Sequence, residues 1–187
     1  AGSSMNLFGA SGVDRVMFGW EMPASWFQSV NSTFIIIMAP VFAWLWLFLS
    51  KINKHPSFLY KFALGLFGLS VGFFVLAWGA SYADAGELVS PAWLVVTYFF
   101  HTCGELCISP VGMSSVTKLA PANRVGQMMG VWFVGAALGN LIAGLAAGDV
   151  GSGFQPLFWQ VATFAGGAGI IALLAAPFLK KYTGGVE

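Results

Sequence analysis

Residues 91–121 read PAWLVVTYFFHTCGELCISPVGMSSVTKLAP, and a single carboxylate in this stretch decides how the chain is read. From Ala92 to about Thr117 the stretch is apolar apart from polar interruptions. It is long enough to cross a bilayer, which takes about 20 helical residues. Glu105 lies near its middle. An ionised, unpaired carboxylate at that depth is costly, so it must be protonated, paired with a cation or open to water. Each option implies a proton carrier, a binder of a substrate amine, or both; the bland alternative is a hydrogen bond to a neighbouring helix. Tyr98, His101, Thr102, Glu105, Ser109 and Gly112 recur at three- and four-residue spacing. On a helix they form one polar stripe, which a membrane span turns toward a cavity or a polar seam and away from lipid.

The composition agrees with a membrane reading. Hydrophobic residues make up 58% of the chain and charged residues 8%, with a mean hydropathy of +0.80. Soluble domains carry roughly a quarter charged residues, so the charge here is too sparse to cover a water-facing surface. A net charge of +1 argues against a nucleic-acid partner. Besides 92–117, hydropathy places spans at about 31–50, 57–81, 126–147 and 158–179. Residues 1–27 then hold the end of a preceding helix and an extracellular or periplasmic loop, and residues 28–187 form a five-span bundle. The chain opens AGSSMNLFGASG, with no initiator Met and no signal peptide, so further sequence upstream is expected.

Loop charges give an orientation. The loop KINKHPSFLYK carries Lys51, Lys54 and Lys61; the next, SYADAGELVSP, carries Asp84 and Glu87; TKLAPANRVG carries Lys118 and Arg124; GDVGSG carries Asp149; the tail carries Lys180 and Lys181. Basic and acidic loops alternate, so the basic loops and the C-terminus are expected on the cytoplasmic side of a multi-pass cell-membrane protein.

Small residues predict where helices touch. Gly65, Gly68, Gly72 and Gly79 share a face of the second span, and the fourth carries the small pairs Gly126/Gly130, Gly135/Gly139 and Gly144/Gly148. Pro40, Pro110 and Pro177 fall within spans, where each removes a backbone donor. Pro110 leaves the Leu106 carbonyl without its helical partner, beside Glu105.

The other candidates are weaker. His101 sits one turn from Glu105 and could share its proton or satisfy an interhelical hydrogen bond. Trp132 and Asn140 occupy one face of the fourth span, where a mid-span Trp borders a cavity or packs on a neighbour. Asn31 is the strong amide near the start of the first span, readable as a helix N-cap. Cys103 and Cys107 lie four apart on a helix, a poor disulfide geometry, and Cys103 points away from the His101–Glu105 face, which disfavours a metal site. No nucleophile–base–acid set and no Gly-rich phosphate loop is present, so no enzyme is expected.

The string GELCISPVGMSSVTKLAP followed by VGQMMGVWFVGAALGNLIAG resembles the proton-coupled oligopeptide transporters, the POT/PTR family of the major facilitator superfamily. SSMNLFG, FGWEMPASWFQSVN and MAPVFAWLW extend the resemblance over nearly the whole chain. It implies an all-α integral membrane fold, the C-terminal six-helix bundle of a twelve-span transporter: the end of helix 7 plus helices 8–12. It further implies proton-coupled symport of di- and tripeptides by alternating access. The family's helix-10 Glu, which binds the peptide amino terminus, matches Glu105. Its helix-8 Asn matches Asn31, its helix-11 Trp matches Trp132 with Phe133 beside it, and the Ser of its Ser-Pro step matches Ser109. Met113 and Ser32 depart mildly from the common pattern, and His101 matches no family signature.

The resemblance also implies partners: a lipid bilayer, a di- or tripeptide, protons as the coupling ion, and the N-terminal helical half of the transporter. No cofactor or metal is implied. The family's ExxER motif lies in helix 1 and has no counterpart in this chain, so the proton-coupling groups are expected elsewhere. The rival readings are a major facilitator carrier of another solute such as nitrate, which needs no amine-binding carboxylate, and a non-transporting membrane scaffold.

Overall fold

The computed structural model describes residues 2–17, 19–52, 54, 56–147 and 153–180. Gly148, Asp149, Lys181 and the Lys180 side chain, used above for packing and orientation, lie outside the described residues. Among the described residues six helices run in chain order: α1 (Gly2–Ser11), α2 (Trp26–Lys51), α3 (Phe58–Asp84), α4 (Ala92–Leu119), α5 (Val125–Ala147) and α6 (Phe154–Lys180). Helices α2 to α6 are each long and apolar enough to cross a membrane. Between α1 and α2 lies a small hairpin of β1 (Val16–Met17) and β2 (Trp20–Glu21), in which Val16 pairs with Glu21 and Met17 with Trp20. Gly19 turns it at φ +81°, and the Arg15–Glu21 ion pair at 2.6 Å closes its base.

Helix α2 starts earlier than hydropathy suggested. Pro23, Ala24 and Ser25 offer their carbonyls to the amides of Trp26, Phe27 and Gln28, winding the chain into the helix before the apolar run begins. Asn31 is therefore more than a turn inside α2 and is not its N-cap.

The α3 glycines pack as their spacing predicts. Gly65 faces Gly104 and Ile108, Gly68 faces Phe100 and Gly104, Gly72 faces Thr97 and His101, and Gly79 faces Trp93. As numbers rise on α3 they fall on α4, so the two helices are antiparallel and backbone meets backbone. The Thr97 hydroxyl uses this closeness, donating to the Gly72 carbonyl at 3.2 Å as well as to that of Trp93 at 2.8 Å. On its other side α3 packs on α6, where the Ser70 hydroxyl donates to the Ala162 carbonyl at 2.7 Å.

The α5 glycines do not follow the prediction. A side chain at Gly126, Gly130, Gly135, Gly139 or Gly144 would meet nothing within 4 Å. Almost all of α5 is exposed, and the ring of its Trp132 lies on Gly112 of α4. Lys61 is a second difference. It lies in the first turn of α3 and not in a loop, it is buried at 5% exposure, and its Nζ sits 4.9 Å from the centre of the Trp46 ring. A cation over an indole face keeps electrostatic compensation when it leaves water.

The densest core lies at the end of the bundle opposite the Lys51–Lys54 and Lys118–Arg124 loops. Phe8 of α1 is fully buried there, edge-on to Phe154 and Phe158 of α6. Val13 and Val89 form a backbone bridge: the Asp14 amide donates to the Val89 carbonyl at 2.9 Å, and the Val89 amide to the Gly12 carbonyl at 3.0 Å. Asp84, the last residue of α3, caps α6 from outside it, accepting from the amides of Phe154 at 3.2 Å and Gln155 at 2.8 Å. It satisfies two orphan donors and places a negative charge at a helix N-terminus. Asp84→Ala should therefore cost about 1 kcal/mol, the usual worth of such a cap. A lower melting temperature in detergent micelles, with Asp84→Asn falling between variant and parent, is the expected outcome; equal melting would show the cap to be idle.

Candidate functional site

Four members of the polar stripe on α4 come together as expected. Tyr98, His101, Glu105 and Ser109 line one cavity of about 390 Å³, whose wall is completed by Asn31 of α2, Met5 of α1, Gly65 and Leu69 of α3, and Gly104 and Ile108 of α4. Glu105 is exposed within this hollow, and no cation among the described residues pairs with its carboxylate. Its helix is positioned by the glycine seam: with no side chain at Gly65 or Gly104, α3 and α4 approach closely and leave the Glu105 side to the cavity.

Two stripe members turn elsewhere. Thr102 is fully buried and faces α2, where its hydroxyl donates to Asn31 Oδ1 at 2.7 Å. Successive helical residues are rotated by about 100°, so Thr102 cannot share the direction of His101. Gly112 lies under the Trp132 ring and lines a second, apolar cavity of about 370 Å³ with Phe58, Phe62, Ser115, Leu119 and Met128 among others. Trp132 thus belongs to this second cavity and not to the wall around Glu105. Phe133 is 59% exposed and lines neither.

His101 packs its ring against Phe73, centroids 4.6 Å apart, and into the notch left by Gly72. Its Nε2 is buried without a hydrogen-bond partner among the described residues, while the ring hydrogen-bonds to the Leu69 backbone of α3 across the helix seam. Met5, Gly65, Leu69 and Ile108 were not foreseen in the cavity wall. The Gly65 face was visible as spacing, whereas nothing local marks Met5 as a neighbour of Asn31. Taken together, the cavity offers one anionic acceptor (Glu105), one amide (Asn31) and hydroxyls from Ser109 and Tyr98 on an otherwise apolar wall. Such a set suits a small solute that carries a cationic donor and hydrogen-bonding groups.

Comparison with known proteins places this architecture. A family model described as the POT family (PTR2) matches residues 1–152. The chain is 45% identical over 150 residues to the peptide transporter YePEPT of Yersinia enterocolitica subsp. palearctica serotype O:3 (strain YE-P4), covering 79% of this chain and 29% of that protein. It is 33% identical over 193 residues to dipeptide and tripeptide permease A of Proteus mirabilis (strain HI4320), covering 97% of this chain and 39% of the permease. A crystal structure of the peptide transporter POT in complex with sulfate superposes with a TM-score of 0.85 at 36% identity, over 95% of this chain and 36% of that one. A POT family transporter in complex with a thioalcohol-conjugated peptide superposes with a TM-score of 0.84 at 30% identity, over 94% of this chain and 37% of that one.

The fold is a helical, multi-pass membrane bundle of the major facilitator type. The chain belongs to the POT family. It spans about a third of the length of the relatives it matches.

Proposed function

We propose that this chain supplies the C-terminal half of the binding cavity of a proton-coupled di- and tripeptide symporter that works by alternating access. The observation that carries the reading is Glu105: a carboxylate at mid-membrane depth, in a cavity, with no cation among the described residues paired with it. A peptide ammonium group is a partner of the right charge and size. Asn31 and Ser109 would bind the backbone polar groups next to it, with Tyr98 and His101 shaping the wall. The two relatives described above, named for peptides or for di- and tripeptides, support the substrate class.

Trp132 would serve a peptide side chain at the second cavity, whereas Phe133 lies outside it. Gly112, beneath Trp132, lies seven residues beyond Glu105 on α4, about 10 Å along a helix. A tripeptide in extended form spans about the same distance, so one substrate could reach both. The unoccupied glycine face of α5 fits a surface that an N-terminal helical half would cover, and that half would bring the cationic and proton-coupling groups. Proton and amine would compete at Glu105, because protonation removes the charge that holds the amine. The basic loops would face the cytoplasm, with the protein in the cell membrane and its C-terminus inside.

The test is uptake of a labelled dipeptide by proteoliposomes holding the full-length protein. Accumulation should require an inward proton gradient, collapse with an uncoupler and be competed by free-amine peptides. Gradient-independent flux, or equal competition by an N-acetylated peptide, would refute the reading.

A further inference from the structure

We infer that Thr102 is a positioning residue that turns Asn31 into a dedicated hydrogen-bond donor for the carbonyl oxygen of the substrate's first residue. The inference rests on the reading of the cavity as a peptide site. Hydroxyls in these helices usually close back on their own backbone. Thr33 donates to the Ser29 carbonyl, Thr97 to Trp93, Ser115 to Val111 and Thr163 to Trp159, each four residues earlier. Thr102 instead donates across the α2–α4 seam to Asn31 Oδ1, at the 2.7 Å expected of a good O–H···O bond. It is fully buried, so the bond is shielded from competition by water.

The consequence lies in the amide at the other end of the bond. Asn carries one acceptor and two donors on a planar group. Once Oδ1 accepts from Thr102, the plane is oriented and Nδ2 is held on the opposite side. Nδ2 makes no hydrogen bond among the described residues, and Asn31 lines the cavity that holds Glu105. Thr102 and Glu105 are three residues apart on α4, so the donor is held within about one helical turn of the carboxylate. The half-site then has a polarity: an acceptor for the ammonium group and, beside it, a donor for the acceptor oxygen nearest that ammonium. Without Thr102 the amide could rotate and present Oδ1, which repels a carbonyl.

The experiment measures dipeptide KM and kcat for uptake, together with thermal stability, in the full-length protein. Asn31→Ala should raise KM about tenfold. Thr102→Val, which keeps the shape and removes the hydroxyl, should raise KM about fivefold to tenfold with kcat little changed, and Thr102→Ser should restore it. The double variant should be no worse than Asn31→Ala alone, because both act on one bond. A dipeptide whose first carbonyl is reduced to a methylene should be insensitive to either change. The inference is overturned if Thr102→Val lowers the melting temperature and leaves KM at the parent value, which marks a purely structural bond. Independent, multiplying effects of the two variants would also overturn it. Should Thr102→Val not fold, Asn31→Asp decides: Asp still accepts from Thr102 but has no donor, so KM must rise as in Asn31→Ala, and parental KM refutes the role. If Glu105→Gln and Asn31→Ala both leave KM unchanged, it is the peptide-site reading that fails.

Discussion

Glu105→Gln is expected to lower uptake of free-amine dipeptides roughly 10- to 100-fold and to abolish discrimination against N-acetylated ones. Gln has the size of Glu and can accept a hydrogen bond, so the change removes the negative charge and little else. A hydrogen bond to a charged partner contributes roughly 1.5–3 kcal/mol, against about 1 kcal/mol for a neutral one, and each 1.4 kcal/mol is a factor of ten. Glu105 sits exposed in its cavity and pairs with no cation among the described residues, so its charge is available to a substrate. Partial wetting of the cavity weakens the attraction, which places the effect below that of a sealed ion pair. Measured Kd values for a dipeptide and its N-acetyl form in parent and variant decide the matter. Equal preference for the free amine in both would show that Glu105 does not read the ammonium group.

How much of this site the sequence discloses depends on which physical constraint was in play. Membrane spans are legible because a bilayer admits no partial solution: each of α2 to α6 must satisfy its backbone internally and show apolar side chains along its length. Helical periodicity likewise brought Tyr98, His101, Glu105 and Ser109 to one wall. It misled at Thr102, where one residue's rotation is enough to turn a polar group from the cavity to the next helix. Small-residue spacing is legible as a capacity and not as a contact. The glycines of α3 and α5 have similar patterns, yet only those of α3 have a helix against them. Pairings between distant segments were invisible: Thr102 with Asn31, Lys61 with Trp46, Asp84 with the start of α6. Each is set by how helices dock, and Lys61 was read as a loop charge because a lysine beside a span usually marks orientation. The Val16–Glu21 hairpin was also missed, although Gly19 between oppositely charged Arg15 and Glu21 was a usable signal.

The contrast between the two glycine faces yields the second large effect, in which the same substitution should act with opposite sign on neighbouring helices. A methyl group on Gly104 would lie 2.6 Å from the carbonyl oxygen of Gly65, a backbone atom that no side-chain rotation can move aside. Gly104→Ala must therefore separate α3 from α4. Overpacking costs typically 1–3 kcal/mol, and Gly104→Val, with its branched side chain, should reach or exceed about 3 kcal/mol. On α5, a methyl at Gly135 meets nothing within 4 Å, so Gly135→Ala in this chain removes only the conformational penalty of a helical glycine, about 0.5–1 kcal/mol, and should be neutral or stabilising. Thermal unfolding of the chain in micelles compares the two directly; parallel melting of Gly104→Ala and Gly135→Ala would show the α3–α4 seam to be loose. The seam also fixes function, since Gly104 precedes Glu105, and Gly65 and Leu69 form the facing wall of the same cavity. Forcing the helices apart moves the carboxylate relative to Asn31 on α2. Gly104→Val should thus lose peptide uptake even at temperatures where the protein remains folded. By contrast, a Gly79→Ala change at the far end of the seam, against the Trp93 side chain, should lower stability with far less effect on KM.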